Sequence, residues 1–441
     1  MTRRSLGPAA LLGLLLPALA AADDWPQWRG PARDDVSKET GLLKQWPAGG
    51  PKLLWTAESC GFGYSGPAVV GDRLYCLGAR PGEGEQFTVY AFALDVTTGK
   101  PVWTHDLGTY REGNGASYLT GWGGGPRGTP TVDGVSLYAL DPIGNLACLE
   151  TATGKEHWRK NLVTDLRGDI PQWGYSESPL VDGEKLIITP GGGQGTMAAL
   201  NKATGEVVWR SKTLTDPAAY SSAVVGNAGG VRQYVQLTDR GIAGIAAGDG
   251  KQLWYYSKQG VFATAVIPTP IVSGEHVYAT AGYSAGCDLL KLTPDGAGGF
   301  RPEAVYSNKV MVNQHGGVLL YKDHVYGFSD RKGWVCQNLL TGKAVWEEKT
   351  DRAERGLGKG SLTCADGQLY CYGEAKGTLV RVEASPAGWK ETGRFTIPRE
   401  TKLPRRDGLI WTHPVVANGK LYLRDQDLLF CFDLKDASAR R

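Results

Sequence analysis

An eight-bladed β-propeller of four-stranded antiparallel blades is the all-β fold that this sequence predicts, and three observations predict it. The first is a recurring hairpin. Ala93-Leu94-Asp95-Val96-Thr97-Thr98-Gly99-Lys100-Pro101-Val102-Trp103 returns at residues 148–158 and 199–209, with looser copies ending at Trp254 and Trp346. Each copy reads as a strand, a tight turn whose glycine takes a positive φ, and a second strand carrying an aromatic residue. The second is spacing. The aromatic register runs Trp55, Trp103, Trp158, Trp209, Trp254, Tyr306, Trp346 and Trp389, and self-similarity at a period of roughly 40–50 residues is the signature of a propeller. The third is an independent count. An apolar strand, an Asp-Gly-type turn and another apolar strand recur at residues 69–75, 131–138, 180–187, 224–234, 271–278, 318–326, 362–370 and 415–422. Both counts give eight.

Taken in order, residues 1–22 read as a secretory signal peptide outside the fold. Arg3 and Arg4 form a basic start, residues 11–16 an apolar centre, and Ala18-Leu19-Ala20-Ala21-Ala22 a small-residue cleavage region. No Cys follows, so no lipid anchor is indicated, and the expected location is periplasmic or secreted. Two of the 48 basic residues fall in this segment, leaving 46 against 45 acidic ones. A charge so near neutral gives no reason to expect a nucleic-acid partner. No later stretch is apolar for long enough to span a bilayer.

Residues 23–50 form an N-terminal extended segment. Its opening, Asp24-Trp25-Pro26-Gln27-Trp28-Arg29-Gly30-Pro31, sets two aromatics between prolines, and it is expected to pack across the propeller rim in a structural role. Residues 51–436 are the propeller, read as one domain and a monomer, and residues 437–441 are a tail. The two ends of the domain explain each other. Lys52-Leu53-Leu54-Trp55 is a tryptophan strand with no hairpin ahead of it, and residues 428–434 are a third strand with no turn or tryptophan after it. The N-terminal strand is therefore expected to complete the last blade and close the ring.

The tryptophans Trp55, Trp103, Trp158, Trp209, Trp254, Trp346 and Trp389 are assigned to docking each blade on its neighbour, with Tyr306 marking the least regular blade. The eight cysteines read as small buried hydrophobes, because repeat-equivalent positions fall in different blades. Cys364 and Cys371 share one hairpin but are out of register by two residues.

Connections between blades are long and unlike one another, and the residues just ahead of the innermost strands should ring the mouth of the central channel. Arg127, Glu177, Tyr220, Ser221, Gln314, His315, Lys359 and His413 converge there. One reading is a water-filled channel whose polar lining satisfies the strand ends. The other is a binding site for a polar small molecule or an extended peptide, with Arg127 and Lys359 countering negative charge and His315 and His413 as donors or acceptors. No metal site and no catalytic residue is assigned. The chain contains no His-Glu-x-x-His and no phosphate loop.

The unit Ala-x-Asp-x-x-Thr-Gly-Lys-x-x-Trp resembles the repeat of the PQQ-type propellers, over residues 51–435. That superfamily includes quinoprotein alcohol dehydrogenases and the outer-membrane assembly factor BamB, so the resemblance implies eight blades and no single function. The opening segment and Trp173-Gly174-Tyr175-Ser176-Glu177-Ser178-Pro179 look like the secreted PQQ-like repeat proteins of bacteria. Quinoprotein dehydrogenases hold PQQ with an adjacent Cys-Cys disulfide, a Glu/Asn calcium site and an Asp base. This chain has no Cys-Cys pair and no Cys-x-x-Cys-His for an attached haem. The BamB-like members are lipid-anchored scaffolds, whereas the lipobox Cys is missing here. The leading expectation is an exported, non-catalytic scaffold without a cofactor, binding an envelope protein partner or a polar ligand through its inter-blade loop face. The alternative is a divergent quinoprotein oxidoreductase of alcohols or sugars, which would need PQQ and calcium.

Overall fold

Short strands with buried centres and tight Gly-containing turns assemble into eight antiparallel sheets. A computed structural model describes residues 24–83, 86–111, 124–262, 264–349, 357–403 and 409–436; the expected signal peptide and C-terminal tail lie outside the described residues. Blades 1 to 7 begin at Ala68, Thr131, Leu180, Val224, Ile271, Val318 and Gly360, and in each the four strands pair in chain order. Blade 8 takes three strands from the C-terminal end, Val415–Ala417, Lys420–Asp425 and Leu428–Asp433, and its fourth, Leu53–Ala57, from the N-terminal end. Trp55 lies opposite Cys431 and Thr56 opposite Phe430. The ring is closed by its own two ends.

The repeated turn and the repeated tryptophan form one device. Trp55 Nε1 donates to the Val96 carbonyl of blade 1 (2.9 Å), Trp103 to Thr151 of blade 2 (2.9 Å), Trp158 to Lys202 of blade 3 (3.0 Å) and Trp346 to Ser385 of blade 7 (2.9 Å). In the first three, the glycine of the receiving turn, Gly99, Gly154 or Gly205, lies against the donor's ring. At Gly154, φ is +73° and a Cβ would stand 2.6 Å from Trp103. Gly154→Ala therefore meets both left-handed strain and a ring with no room to retreat, and is expected to cost about 2–4 kcal/mol. Urea denaturation checks this, with a lower midpoint at an unchanged slope.

Four aromatic positions depart from expectation. Tyr306 does the work of a tryptophan, its hydroxyl donating to the Leu339 carbonyl (2.8 Å) while Gly342 lies on its ring, so blade 5 is regular at that point. The irregular seam is the preceding one. Blade 5 joins its outer strands through Asp295-Gly296-Ala297-Gly298-Gly299 in place of Thr-Gly-Lys, and Trp254 Nε1 instead donates to Gln233 Oε1 of its own blade (2.5 Å). Trp389 follows the turn at residues 386–387 and packs back onto Trp334 and Trp346 of blade 6 (6.0 and 5.9 Å). Its expected place beside blade 8 is taken by Trp46. Gly393 stands where the other blades carry the aromatic, just past the bulge, and Trp46 fills the space that a side chain there would need. Trp46 sits 6.0 Å from Tyr370, and the docking tryptophans of blades 1, 2, 6 and 8 stand 6.0–6.1 Å from their own blade tyrosines. The Arg381 guanidinium covers its ring at 4.6 Å.

The opening segment does not cross the rim; it fills the axis. Within a few residues it meets the innermost part of every blade. Trp25 bridges to Val69 of blade 1, and the Pro26 carbonyl accepts from Val132 of blade 2. Arg33 donates to Ser178 and Pro179 at the start of blade 3 and to Ala223 beside blade 4. Trp28 and Arg29 reach Thr269 beside blade 5, and Arg29 also reaches Val318 of blade 6. The Asp35 carbonyl accepts from Thr363 and Cys364 of blade 7, where Val36–Ser37 adds a parallel fifth strand. Glu39 accepts from Gly419 of blade 8. Only a segment on the axis touches eight innermost strands at once. The expected water-filled channel is a plugged one, because the buried carbonyls at the strand starts are satisfied by the chain itself.

All eight cysteines are free and buried. In the shared hairpin Cys364 stands opposite Leu369 and Cys371 opposite Leu362.

Candidate functional site

Chain direction decides which loops meet above the plug. Each innermost strand leaves the face at which the blade-to-blade connection arrives, and the second strand returns to it. The turn between second and third strands therefore shares that face, while the repeated Thr-Gly-Lys turns lie on the other. Both kinds of loop surround a basin of about 580 Å³, within the range of small-molecule sites.

The plug forms its floor. Trp28 Nε1 donates to Thr269 Oγ1 (2.9 Å), and the Trp28 ring meets His413 edge-on at 4.6 Å. Arg29 beside it is fixed from two sides, by Asp35 (Nε–Oδ2 3.0 Å) and by the Val318 carbonyl (2.7 Å). Burial pushes the Asp35 carboxyl up to about 7, and the Arg29 charge opposes that rise.

Six of the eight residues expected at the channel mouth line this basin: Arg127, Tyr220, Gln314, His315, Lys359 and His413. His315 Nε2 stands 3.1 Å from Glu374 Oε2, and Trp411 Nε1 donates to the same oxygen (3.2 Å). Burial lowers the His315 pKa, and the Glu374 hydrogen bond pulls it partly back. His413 donates from Nε2 to the His315 carbonyl (3.2 Å), and burial holds it neutral down to about 3. Gly317 makes this approach possible: its φ is +69°, and a Cβ there would lie 2.9 Å from the His413 ring. Lys359 pairs with Asp330 (2.9 Å) and donates to Gln314, whose amide donates in turn to the Tyr283 hydroxyl (2.6 Å). Across the basin Arg127 donates to the Trp173 carbonyl (3.3 Å) and lies 5.6 Å from the Tyr64 ring, while Tyr220 packs on Trp173 at 5.7 Å. The polar groups named here are each oriented by a neighbour, so the basin is built to hold hydrogen-bonding partners in a set geometry.

The other two expected residues point elsewhere. Ser221 stitches blades, donating to the Pro268 carbonyl (3.0 Å), as Ser178 and Ser222 do by accepting from Thr129 and Ser178. Glu177 turns into blade 3 and accepts from the Thr189 amide (2.5 Å). Its burial lifts the carboxyl from 4.5 to about 7. The folded state thus keeps a proton that the unfolded chain releases above its ordinary value. The resulting stabilisation is full below pH 4.5 and is lost as pH rises through about 7. Glu177→Gln should flatten that fall, read from urea midpoints measured between about pH 4 and pH 8.

Sequence reasoning missed Trp28, Tyr64, Trp173, Tyr283 and Glu374 as lining residues. Tyr283 and Glu374 follow second strands, and counting the turn after each second strand as part of the same face would have found them. Trp28 was read as rim packing. Nothing in the sequence alone separates a plug from a strap.

The quinone and calcium implied by the family resemblance do not match these donors. Among the described residues the basin's one lining carboxylate, Glu374, is already engaged by His315 and Trp411. Calcium takes about 6–8 oxygen ligands. Among the described residues no three His, Cys, Asp or Glu side chains gather as a metal cluster.

Comparison with known proteins returns one family, described as outer membrane protein assembly factor BamB, whose profile matches residues 85–348. A curated relative of that name from Shewanella oneidensis is 23% identical over 246 residues, covering 50% of this chain and 56% of its own length. The curated relatives are matched over 27% to 56% of their lengths. Among solved structures, BamB from Moraxella catarrhalis superposes with a TM-score of 0.56 at 15% identity, covering 87% of this chain and 97% of that one. Quinohemoprotein alcohol dehydrogenase from Comamonas testosteroni does so with a TM-score of 0.60 at 14% identity, covering 93% and 80%. At such identities both share the fold with this chain, and the fold alone.

Proposed function

Because this chain belongs to the family described as outer membrane protein assembly factor BamB, we propose that it is an exported, non-catalytic propeller that works by binding. The loop-face basin seats a polar small molecule, or one extended segment of an envelope protein partner. The observation that carries this reading is the plugged axis, which turns an open channel into a floored basin whose polar groups are already oriented. The relatives' name speaks of an assembly factor, and a basin of this kind suits a scaffold that holds a partner in place. The dehydrogenase likeness shares the propeller without the donor set.

Two experiments test the reading. Native mass spectrometry after incubation with an envelope extract should show one retained ligand or peptide, lost when Arg127→Ala and Trp411→Ala are combined. Retention of nothing, or equal retention by the double variant, would count against it. Adding PQQ and calcium and assaying dye reduction with alcohols and sugars should give no turnover, and turnover would restore the oxidoreductase reading.

A further inference from the structure

Resting on the reading that the loop-face basin binds a ligand, we propose that its ligand class is a neutral saccharide, stacked on separate aromatic facets. Six aromatic rings line the basin: Trp28 from the floor and Tyr64, Trp173, Tyr220, Tyr283 and Trp411 from the wall. The rings that touch one another are tilted. Tyr64 and Trp411 meet at 32°, Trp173 and Tyr220 at 55°, and Trp28 and His413 at 62°. The wall is therefore faceted. A flat conjugated ligand needs a continuous slab, whereas each sugar ring offers one small C–H patch that a single aromatic face covers.

Charge points the same way. Arg29 pairs with Asp35 and Lys359 with Asp330, burial favours the uncharged rings of His315 and His413, and Arg127 and Glu374 add one charge of each sign to the lining. The basin has no single-sign field to select a polyanion or a cation. Gln314 and Arg127 bring donors and Glu374 brings acceptor oxygens, which suits hydroxyl groups that both donate and accept.

Tyr283 supplies an independent observation. It heads a two-residue turn closed by the Ala285 amide on the Gly282 carbonyl (3.0 Å), with φ of +53° at Tyr283 and +69° at Ser284. Glycine or asparagine makes such a turn without strain, and a bulky aromatic there is an outlier. The residue is nevertheless 48% exposed at the rim of the basin. Strain retained under an exposed ring marks a side chain kept for contact.

The test uses the whole chain without residues 1–22, titrated with cellobiose, maltose and chitobiose, with heparin disaccharide and with benzene dicarboxylate. Calorimetry and tryptophan emission are the readouts. At least one neutral disaccharide should bind saturably, with an affinity that does not change between about 0.05 and 0.5 M salt. Tyr283→Gly removes the ring while accepting the backbone angle, so affinity should fall about tenfold or more with no loss of melting temperature. Unchanged affinity in Tyr283→Gly overturns the stacking assignment. Binding of only the anionic or aromatic probe overturns the saccharide class and leaves the binding reading standing. If none of these probes binds and the extract experiment also retains nothing, both fall together.

Discussion

A chain beginning at residue 48 is expected to yield no native propeller, only insoluble protein or a collapsed species without a cooperative melt. Such a truncation removes Trp25, which is 2% exposed against blade 1, and losing a tryptophan so buried costs about 3–5 kcal/mol alone. It also removes Trp46 from the seam beside blade 7 and strips hydrogen bonds from innermost strands around the whole ring. Total stabilities of about 5–15 kcal/mol do not survive that sum. Circular dichroism and gel filtration check it. A monomer melting at the temperature of the longer chain would show that the axis needs no plug.

The second large effect is expected from one side chain. Arg33 is 4% exposed and joins the starts of blades 3 and 4, donating to Ser178, Pro179 and Ala223 while its Nε is held by Gln27 (2.9 Å). It is also the cation nearest in effect to the buried Glu177. Burial lowers its pKa to about 9, which leaves it charged at neutral pH. Arg33→Leu leaves these carbonyls without their donor and is expected to cost roughly 3–5 kcal/mol, since each buried polar group left unsatisfied costs about 1–3 kcal/mol. Arg33→Lys should recover little. An ammonium is a single point of charge and cannot reach two blades as a planar fork does. Urea midpoints decide the matter, and a shift below about 1 kcal/mol would assign the plug's hold to its backbone and aromatics instead.

These two effects rest on the part of the molecule that the sequence did not reveal. The blades were legible because most of them repeat a turn, a glycine and an aromatic at one spacing. Ring closure was legible because Trp55 lacked a hairpin and Phe430 lacked a tryptophan strand. Periodicity reports nothing of what happens once. Trp46 supplies the aromatic of blade 7 from outside the repeat, and Gly393 betrays the vacancy only when its packing is seen. Arg29 and Arg33 look like surface cations in an extended leader, yet both are buried among carbonyls. Of the mouth residues, six of eight reach the basin because position ahead of an innermost strand fixes where a backbone lies. It does not fix rotamers, and so Glu177 and Ser221 turned away into the blades.

Hydrogen exchange at the Trp25, Arg33, Val132 and Cys364 amides tests the central claim most directly, since each donates to a bond between the plug and a blade or within the plug. A segment that is part of the core should open only when the ring unfolds, so these amides should exchange at the global rate and respond to urea with the full slope. Exchange within seconds, indifferent to denaturant, would mean a free arm over an open channel, and the basin would lose its floor.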